Sequence, residues 1–303
     1  MSTIDAAALT KFKLDYEHQV QQTVSKLDNL VTVDQHEGKT KRYTVQESLS
    51  YSTRSGRLQN TTTTEAAYNF RWLNTAAYDL APTWDRDDEF LLAEMTNPRS
   101  PLQLGMGMAF KRLCDDRIIA AMDAAAVTGE DGTGSTAFPS GASGESLDQI
   151  IDVNAVETGS AADSNLTLGK IRLTNKLFLD NDVDPGERKI WIIGPSQAQA
   201  LQRIDEYNSI DYNVRRGLMD GTPVPFMGFE FVVSTRLSSA TGNIRSTFAY
   251  CPSSIIFNPG TRDVDYSERT DKRHDRQIYS YARLGAMRLH DEKVVKVLCD
   301  EDL

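Results

Sequence analysis

The sequence is poor in the residues that carry chemistry. Its 303 residues include three cysteines, Cys114, Cys251 and Cys299, far apart and without the Cys-x-x-Cys spacing of a metal site or the even count of a disulfide framework. They read as small apolar core residues of a protein made in a reducing cytoplasm. The four histidines, His18, His36, His274 and His290, stand apart and fit neither a HExxH nor a HxxxH metal spacing. No stretch approaches the ~20 apolar residues that a membrane span needs. The opening Met1-Ser2-Thr3-Ile4-Asp5 lacks the basic and then apolar order of a secretion signal, so the expectation is a soluble chain with no membrane partner. Positive charge is also short. A formal net charge of -10 argues against a surface built to coat nucleic acid, because phosphate binding runs on Lys and Arg. It is compatible with a container whose inner wall must not stick to packaged DNA.

What is present describes a folded protein. With 40% hydrophobic and 25% charged residues, a chain of this length can bury a core as one large domain or two ordinary ones, without a metal or disulfide staple. After Ser2 and Thr3, apolar residues recur at Leu9, Phe12, Tyr16, Val20, Val24, Leu27 and Val31. Those spacings of three and four predict an amphipathic helix, and nothing in the polar sequence that follows offers it cover, which points to another subunit. The chain then turns polar from Asp34 through Gly38 to a basic patch of Lys39, Lys41 and Arg42. From Lys41 to about Leu80 it is rich in Thr, Ser, Tyr and Arg, with alternation in Tyr43–Glu47 and Phe70–Trp72 around Ser55-Gly56 and the threonine run 61–64. Long strands with few core residues are predicted. A stretch of this length does not fit a plain loop inside a compact domain, which leaves an extended hairpin lying on a neighbouring subunit or a flexible polar insertion.

Pro98 and Pro101 precede the longest predicted helix, about Pro101 to Val127, with Leu102, Met106, Phe110, Leu113, Ile118 and Met122 at helical spacing. Gly105 and Gly107 within it are expected to let the helix approach another backbone. The helix should end in a mobile surface loop carrying Gly129, Gly132, Gly134, Pro139, Gly141 and Gly144. Beyond it the signals alternate as in a mixed α/β region: a helix over Leu168–Asp180, a buried strand over Lys189–Gly194, a helix over Ser196–Ile204 opened by Pro195, and strands over Phe229–Val233, Phe248–Tyr250 and Ile255–Phe257. Gln277–Leu289 and Lys293–Leu298 read as two long strands joined through His290-Asp291 as a hairpin.

Enzymatic motifs fail on inspection. Leu104-Gly105-Met106-Gly107 lacks the third glycine and preceding strand of a dinucleotide site, and no GxxxxGK[ST] phosphate loop exists. Asp180-Asn181-Asp182-Val183-Asp184-Pro185-Gly186 opens like a calcium loop, but Pro185 takes the place of the turn glycine and Trp191 that of the bidentate glutamate, so a solvated turn is expected. Ser196 follows a strand and precedes a helix like an elbow nucleophile, yet Ala198 replaces the second glycine. Asp115 and Asp116 on the long helix are expected to form a solvated or interfacial charge face with Lys111, Arg112 or neighbouring arginines.

The order of these elements resembles the major capsid proteins of tailed bacteriophages, a fold shared with encapsulin nanocompartments. The likeness is carried by the segments Lys189-Ile190-Trp191-Ile192-Ile193-Gly194-Pro195, Gly221–Phe231, and Tyr281-Ala282-Arg283-Leu284-Gly285-Ala286-Met287-Arg288-Leu289-His290-Asp291-Glu292-Lys293-Val294-Val295. It implies an α+β capsid fold: an N-terminal arm over 1–33, an extended loop over 34–84, a peripheral domain with a spine helix over 85–145 and 254–303, and an axial domain over 146–253. It also implies hexameric and pentameric capsomers in an icosahedral shell around double-stranded DNA held without sequence-specific binding, assembled in a bacterial cytoplasm, with no catalysis and no cofactor. Many copies of the chain, a scaffolding protein, a portal and a decoration protein are the implied partners. Because Met1 to Ala8 leaves no room for a built-in scaffolding segment, the scaffold is expected to be separately encoded. Some members of the family crosslink through a loop lysine; Lys39 and Lys41 lie in that region, without an identifiable partner. Candidate subunit contacts are Phe12 and Tyr16 on the arm, Lys39, Lys41, Arg42, Arg54 and Arg57 on the loop, and the charged group Arg269, Asp271, Arg273 and Arg276. Two alternatives stay open: an encapsulin-like cargo container, and a hydrolase using Ser196.

Overall fold

The computed structural model describes residues 21–53, 56–57, 60, 63–84, 99–139, 149–155, 162–208 and 223–302. A 3₁₀ turn at Asp28–Leu30 leads into β1 (Thr32–Val33), followed by β2 (Thr40–Gln46), β3 (Tyr68–Asn74), β4 (Ala76–Leu80) and β5 (Thr83–Trp84). The 25-residue spine helix α1 (Arg99–Asp123) comes next, then β6 (Ala126–Thr128), β7 (Gly134–Thr136) and β8 (Ile150–Ile151). Helix α2 (Leu168–Asp180), β9 (Lys189–Ile193), α3 (Pro195–Gln202) and α4 (Asp205–Asn208) precede β10 (Phe229–Val233), β11 (Ser239–Thr241) and β12 (Ile244–Tyr250). The chain closes with β13 (Ile255–Asn258), β14 (Arg262–Arg269), β15 (Asp275–Arg288) and β16 (Val294–Asp300).

The central sheet runs β10-β9-β12-β16-β8, with β11 on β12. All five residues of β9 are buried. That burial on both faces is why its sequence is a continuous apolar run instead of an alternation. Trp191 and Ile193 point to one side, into a core with Ile171 and Phe178 of α2, Leu201 of α3 and Val297 of β16. Ile190 and Ile192 point to the other, into a core with Cys114, Ile118 and Met122 of the spine helix, Phe248 and Tyr250 of β12, and Leu27. Thr167 caps α2 through its hydroxyl, Pro195 occupies the first turn of α3, and both helices cover the sheet as their sequences predict.

A second sheet orders β1-β13-β15-β14, with β4 and β5 on the free side of β15. The strand β15 is long because it serves both ends: Ile255–Asn258 pairs with its final residues, and β14 with its first half. Gly260 makes the tight passage between β13 and β14. Its φ is +55°, and a Cβ there would stand 1.7 Å from the carbonyl oxygen of Arg283, so no other residue fits. The third sheet, β2-β3-β6-β7, joins the extended hairpin to the end of the spine helix.

Several expectations are corrected. The helix expected through Val31 is not formed over its last part, the positions before Gln21 lying outside the described residues: residues 21–27 are irregular and end in the 3₁₀ turn, because the backbone N–H groups of Lys26 and Leu27 go to the Asp115 carboxylate instead of to helical carbonyls. Leu27 and Val31 are covered by this chain itself, while Val24 stays 64% exposed. The spine helix ends at Asp123, short of Val127. The stretch 126–136 is a hairpin, not a mobile loop, with Gly129 and Gly132 in left-handed backbone at its turn. Gly107 meets nothing within 4 Å, so it serves no close approach. The last two strands do not form a hairpin: β15 pairs with β13, β14, β4 and β5, whereas β16 enters the central sheet between β12 and β8. The strand β16 alternates between the two cores of the central sheet, with Val294 on the spine-helix side and Val295, Val297 and Cys299 on the other, so it is buried on both faces between β12 and β8.

The three cysteines are free and buried. Burial pushes the Cys114 and Cys299 thiols up to about 11 and that of Cys251 up to about 12. A thiol reagent at pH 8 is therefore expected to label none of them in the native protein and all three after denaturation; rapid native labelling would contradict the packing described here.

Candidate functional site

The sheet that carries the extended hairpin has two unlike faces. On the inner face Leu73 is fully buried against Ile256 and Met287, flanked by Tyr43 and Leu289. Arg71 reaches inward from β3 and donates to Asp291 Oδ2 at 2.6 Å. The other oxygen of Asp291 accepts from Arg288 Nε at 2.5 Å. Arg288 is 1% exposed, and its Nη1 donates to the carbonyls of Met122 (2.7 Å) and Ala124 (2.9 Å) at the end of the spine helix. Its guanidinium lies 4.7 Å from the Phe138 ring centroid. One buried arginine thus caps the spine helix, stops it at Asp123 and, through Asp291, ties down the root of the hairpin. Sequence reading missed this group; an arginine inside the otherwise apolar run Leu284–Leu289 was the available signal.

The outer face is cationic and aromatic. Arg42 stands 4.8 Å from the Phe70 ring centroid and 6.0 Å from that of Trp72, with Tyr68 exposed beyond them on the same strand. The Trp72 indole donates to the Gly129 carbonyl at 2.7 Å, and Gly132 lies directly beneath its ring. At the hairpin root Lys41 pairs with Asp34 at 2.5 Å, and the Tyr43 hydroxyl donates to the same carboxylate; together they hold Asp34 below the usual carboxylate range. Lys39 and Arg57 are exposed. Phe12, Tyr16 and Arg54 lie outside the described residues.

The second exposed element is strand β14 and the turn that joins it to β15. Seven of the eight residues of β14 are exposed. At the tip Arg269 grips Asp271 through two hydrogen bonds of 2.7 and 2.6 Å, which pulls the Asp271 carboxyl down to about 2. Arg273 and His274 turn the chain in left-handed backbone, with φ of 46° and 64°, and His274 lies 3.2 Å from Glu268. Arg276 stands over Tyr266, which packs on Trp84. Such solvent-screened pairs add little stability. What they provide is a shaped, charged tip.

Asp115 and Asp116 part company, against the expected common charge face. Asp116 pairs with Arg236, whose Nε donates at 2.7 Å. Asp115 is fully buried and receives the N-terminal segment instead: Ser25 Oγ at 2.6 Å, Lys26 N at 3.1 Å, Leu27 N at 3.2 Å, and the Gln22 side chain. Lys111 pairs with Asp28 at 3.2 Å, and Arg112 donates to Gln21.

The residues weighed for catalysis sit in structural roles. Ser196 is in the first turn of α3, where its hydroxyl accepts from Asn165 Nδ2 at 3.1 Å. Asp184 Oδ1 accepts from Gly186 N at 2.8 Å in the expected turn. Among the described residues no group of three His, Cys, Asp or Glu is placed to hold a metal.

A long helix crossing a mixed sheet, with one hairpin rooted at the helix end and another beside it, is an arrangement similar to solved phage capsid structures. The capsid structure of the cyanophage P-SCSP1u matches with a TM-score of 0.71 at 13% identity, covering 94% of this chain and 91% of that one. The capsid of the cyanophage Pam1 matches at 0.70 and 12% identity over 94% of each chain, and Mycobacterium phage Che8 at 0.67 and 15% over 93% of each. No curated protein sequence matches the chain. A family model described as phage capsid protein matches residues 4–301, and the chain belongs to that family. It is a structural protein of the phage head and not an enzyme, so neither the cargo container nor the Ser196 hydrolase is favoured.

Removing Asp291 leaves Arg288 buried without its counter-charge. Asp291→Ala is therefore expected to cost roughly 3 kcal/mol in urea unfolding. Arg71→Met, which removes the outer partner and keeps an aliphatic stem, should cost less than half as much; equal losses would show that the hairpin tie and the helix cap are not separable.

Proposed function

We propose that this chain is the repeating subunit of an icosahedral head, assembling as hexamers and pentamers that enclose double-stranded DNA. The observation that carries the reading is the exposure of one strand in each of its two hairpins. The strand β14 is almost wholly exposed, and β2 buries none of its residues fully. Ordering such strands costs conformational entropy that their own burial does not offset. Contacts with identical neighbours, repeated by symmetry, would supply the missing burial.

In this reading residues 1–33 are the arm, 34–84 the extended loop, 85–145 and 254–303 the peripheral domain, and 146–253 the axial domain, to whose sheet β16 returns. Contacts would use Phe12 and Tyr16 on the arm, Lys39, Lys41, Arg42, Arg54 and Arg57 on the loop, and Arg269, Asp271, Arg273 and Arg276 at the second tip. A net charge of -10 suits a wall that leaves DNA free to slide. Assembly would take place in the bacterial cytoplasm with a scaffolding protein, a portal and a decoration protein.

The test is expression of the protein alone and with its neighbouring genes, followed by size-exclusion chromatography and negative-stain microscopy. Closed shells or free hexamers and pentamers are expected. A sample that remains monomeric under every assembly condition would overturn the reading.

A further inference from the structure

The carboxylate of Asp115 is an expensive feature. It is fully buried in the middle of the spine helix, and among the described residues no Lys or Arg stands within ion-pair distance of it. A buried charge without a counter-ion is tolerable only when hydrogen bonds replace its hydration. Here four donors do so, and all of them come from one short stretch of chain, Gln22 to Leu27. Two are backbone N–H groups, so the carboxylate fixes the direction of the main chain and not merely the position of a side chain. An apolar residue at 115 could pack against Leu27, but it could not orient those two amides.

The neighbouring contacts act in the same sense. Lys111 and Arg112, one turn earlier on the same helix face, hold Asp28 and Gln21, while the Lys26 ammonium donates to the Val233 carbonyl at 2.8 Å at the end of β10. Leu27 is pinned in the core beside Cys114 and Ile118. The segment 21–28 is therefore clasped between the spine helix and the central sheet, with Asp115 at its centre.

We infer that Asp115 is a positioning residue for assembly: its carboxylate fixes the place and direction of the main chain over Gln22–Leu27, and through it the geometry in which the N-terminal residues meet a neighbouring copy. This rests on the reading of the arm as a contact element.

The experiment compares three full-length proteins under one assembly protocol: wild type, Asp115→Asn, and Phe12→Asp combined with Tyr16→Asp. Asp115→Asn keeps the volume and removes the charge. Its unassembled subunit is expected to retain the wild-type circular dichroism and a single melting transition. Tryptic cleavage after Lys26 should become about tenfold faster, since proteolysis follows local opening, and shells should form with mixed diameters or fail to close. Uniform wild-type shells from Asp115→Asn, beside failed assembly of the arm variant, would overturn the inference and leave the arm reading intact. Normal shells from the arm variant would overturn both. Should Asp115→Asn not fold, Ser25→Ala removes one donor from the arm side alone: faster cleavage after Lys26 with irregular shells supports the inference, and unchanged cleavage and shells refute it.

Discussion

The guanidinium of Arg288 is the contact on which the rest of the subunit depends. It sits where three parts of the protein meet: the last carbonyls of the spine helix, the end of β15 and, through Asp291, the root of the extended hairpin. A helix end leaves carbonyls without partners, and burying them costs free energy unless a donor arrives. Here the donor is itself buried, so helix, sheet and hairpin hold one another in place. Displacing any one of them leaves a buried charge or carbonyl unpaired.

Around that junction the molecule divides its work physically. The central sheet is covered on both faces, by α2 and α3 on one and by the spine helix on the other, and its side chains interlock in two cores. The outer strands β2 and β14 are the opposite: half-buried or exposed, and rich in arginine, lysine and tyrosine or aspartate. A rigid centre with adherent edges is what a shell subunit needs, because contacts repeated by symmetry add up only when each copy presents them in the same geometry. The Asp115 clasp spends a buried charge on the direction of the chain over Gln22–Leu27 and not on packing.

The legibility of the sequence followed the range of the interactions. The helix over Leu168–Asp180, the strand at Lys189–Ile193 and the helix after Pro195 were readable because periodicity, capping residues and proline act within a few positions. The two strands of the extended hairpin were readable from alternation. The long helix was placed but overrun, since its end is set by Arg288 from 165 positions away, counted between Asp123 and Arg288. The chemistry of Asp115 was read as a solvated charge face because spacing along a helix says nothing about what arrives from another segment. Of the candidate contact residues, the sequence did not show that Arg42 lies over Phe70 and Trp72 or that Arg269 is already engaged by Asp271.

By itself, then, the amino-acid sequence determined the helix over Leu168–Asp180, the buried strand at Lys189–Ile193, the helix opened by Pro195 and the alternating strands of the extended hairpin. Tertiary structure alone decided where β16 inserts, why Gln21–Leu27 is irregular instead of helical, and which buried charges meet. Sheet partners, cap donors and carboxylate clasps lie tens to hundreds of positions apart, and they are chosen by the free energy of the packed whole, which no local pattern encodes.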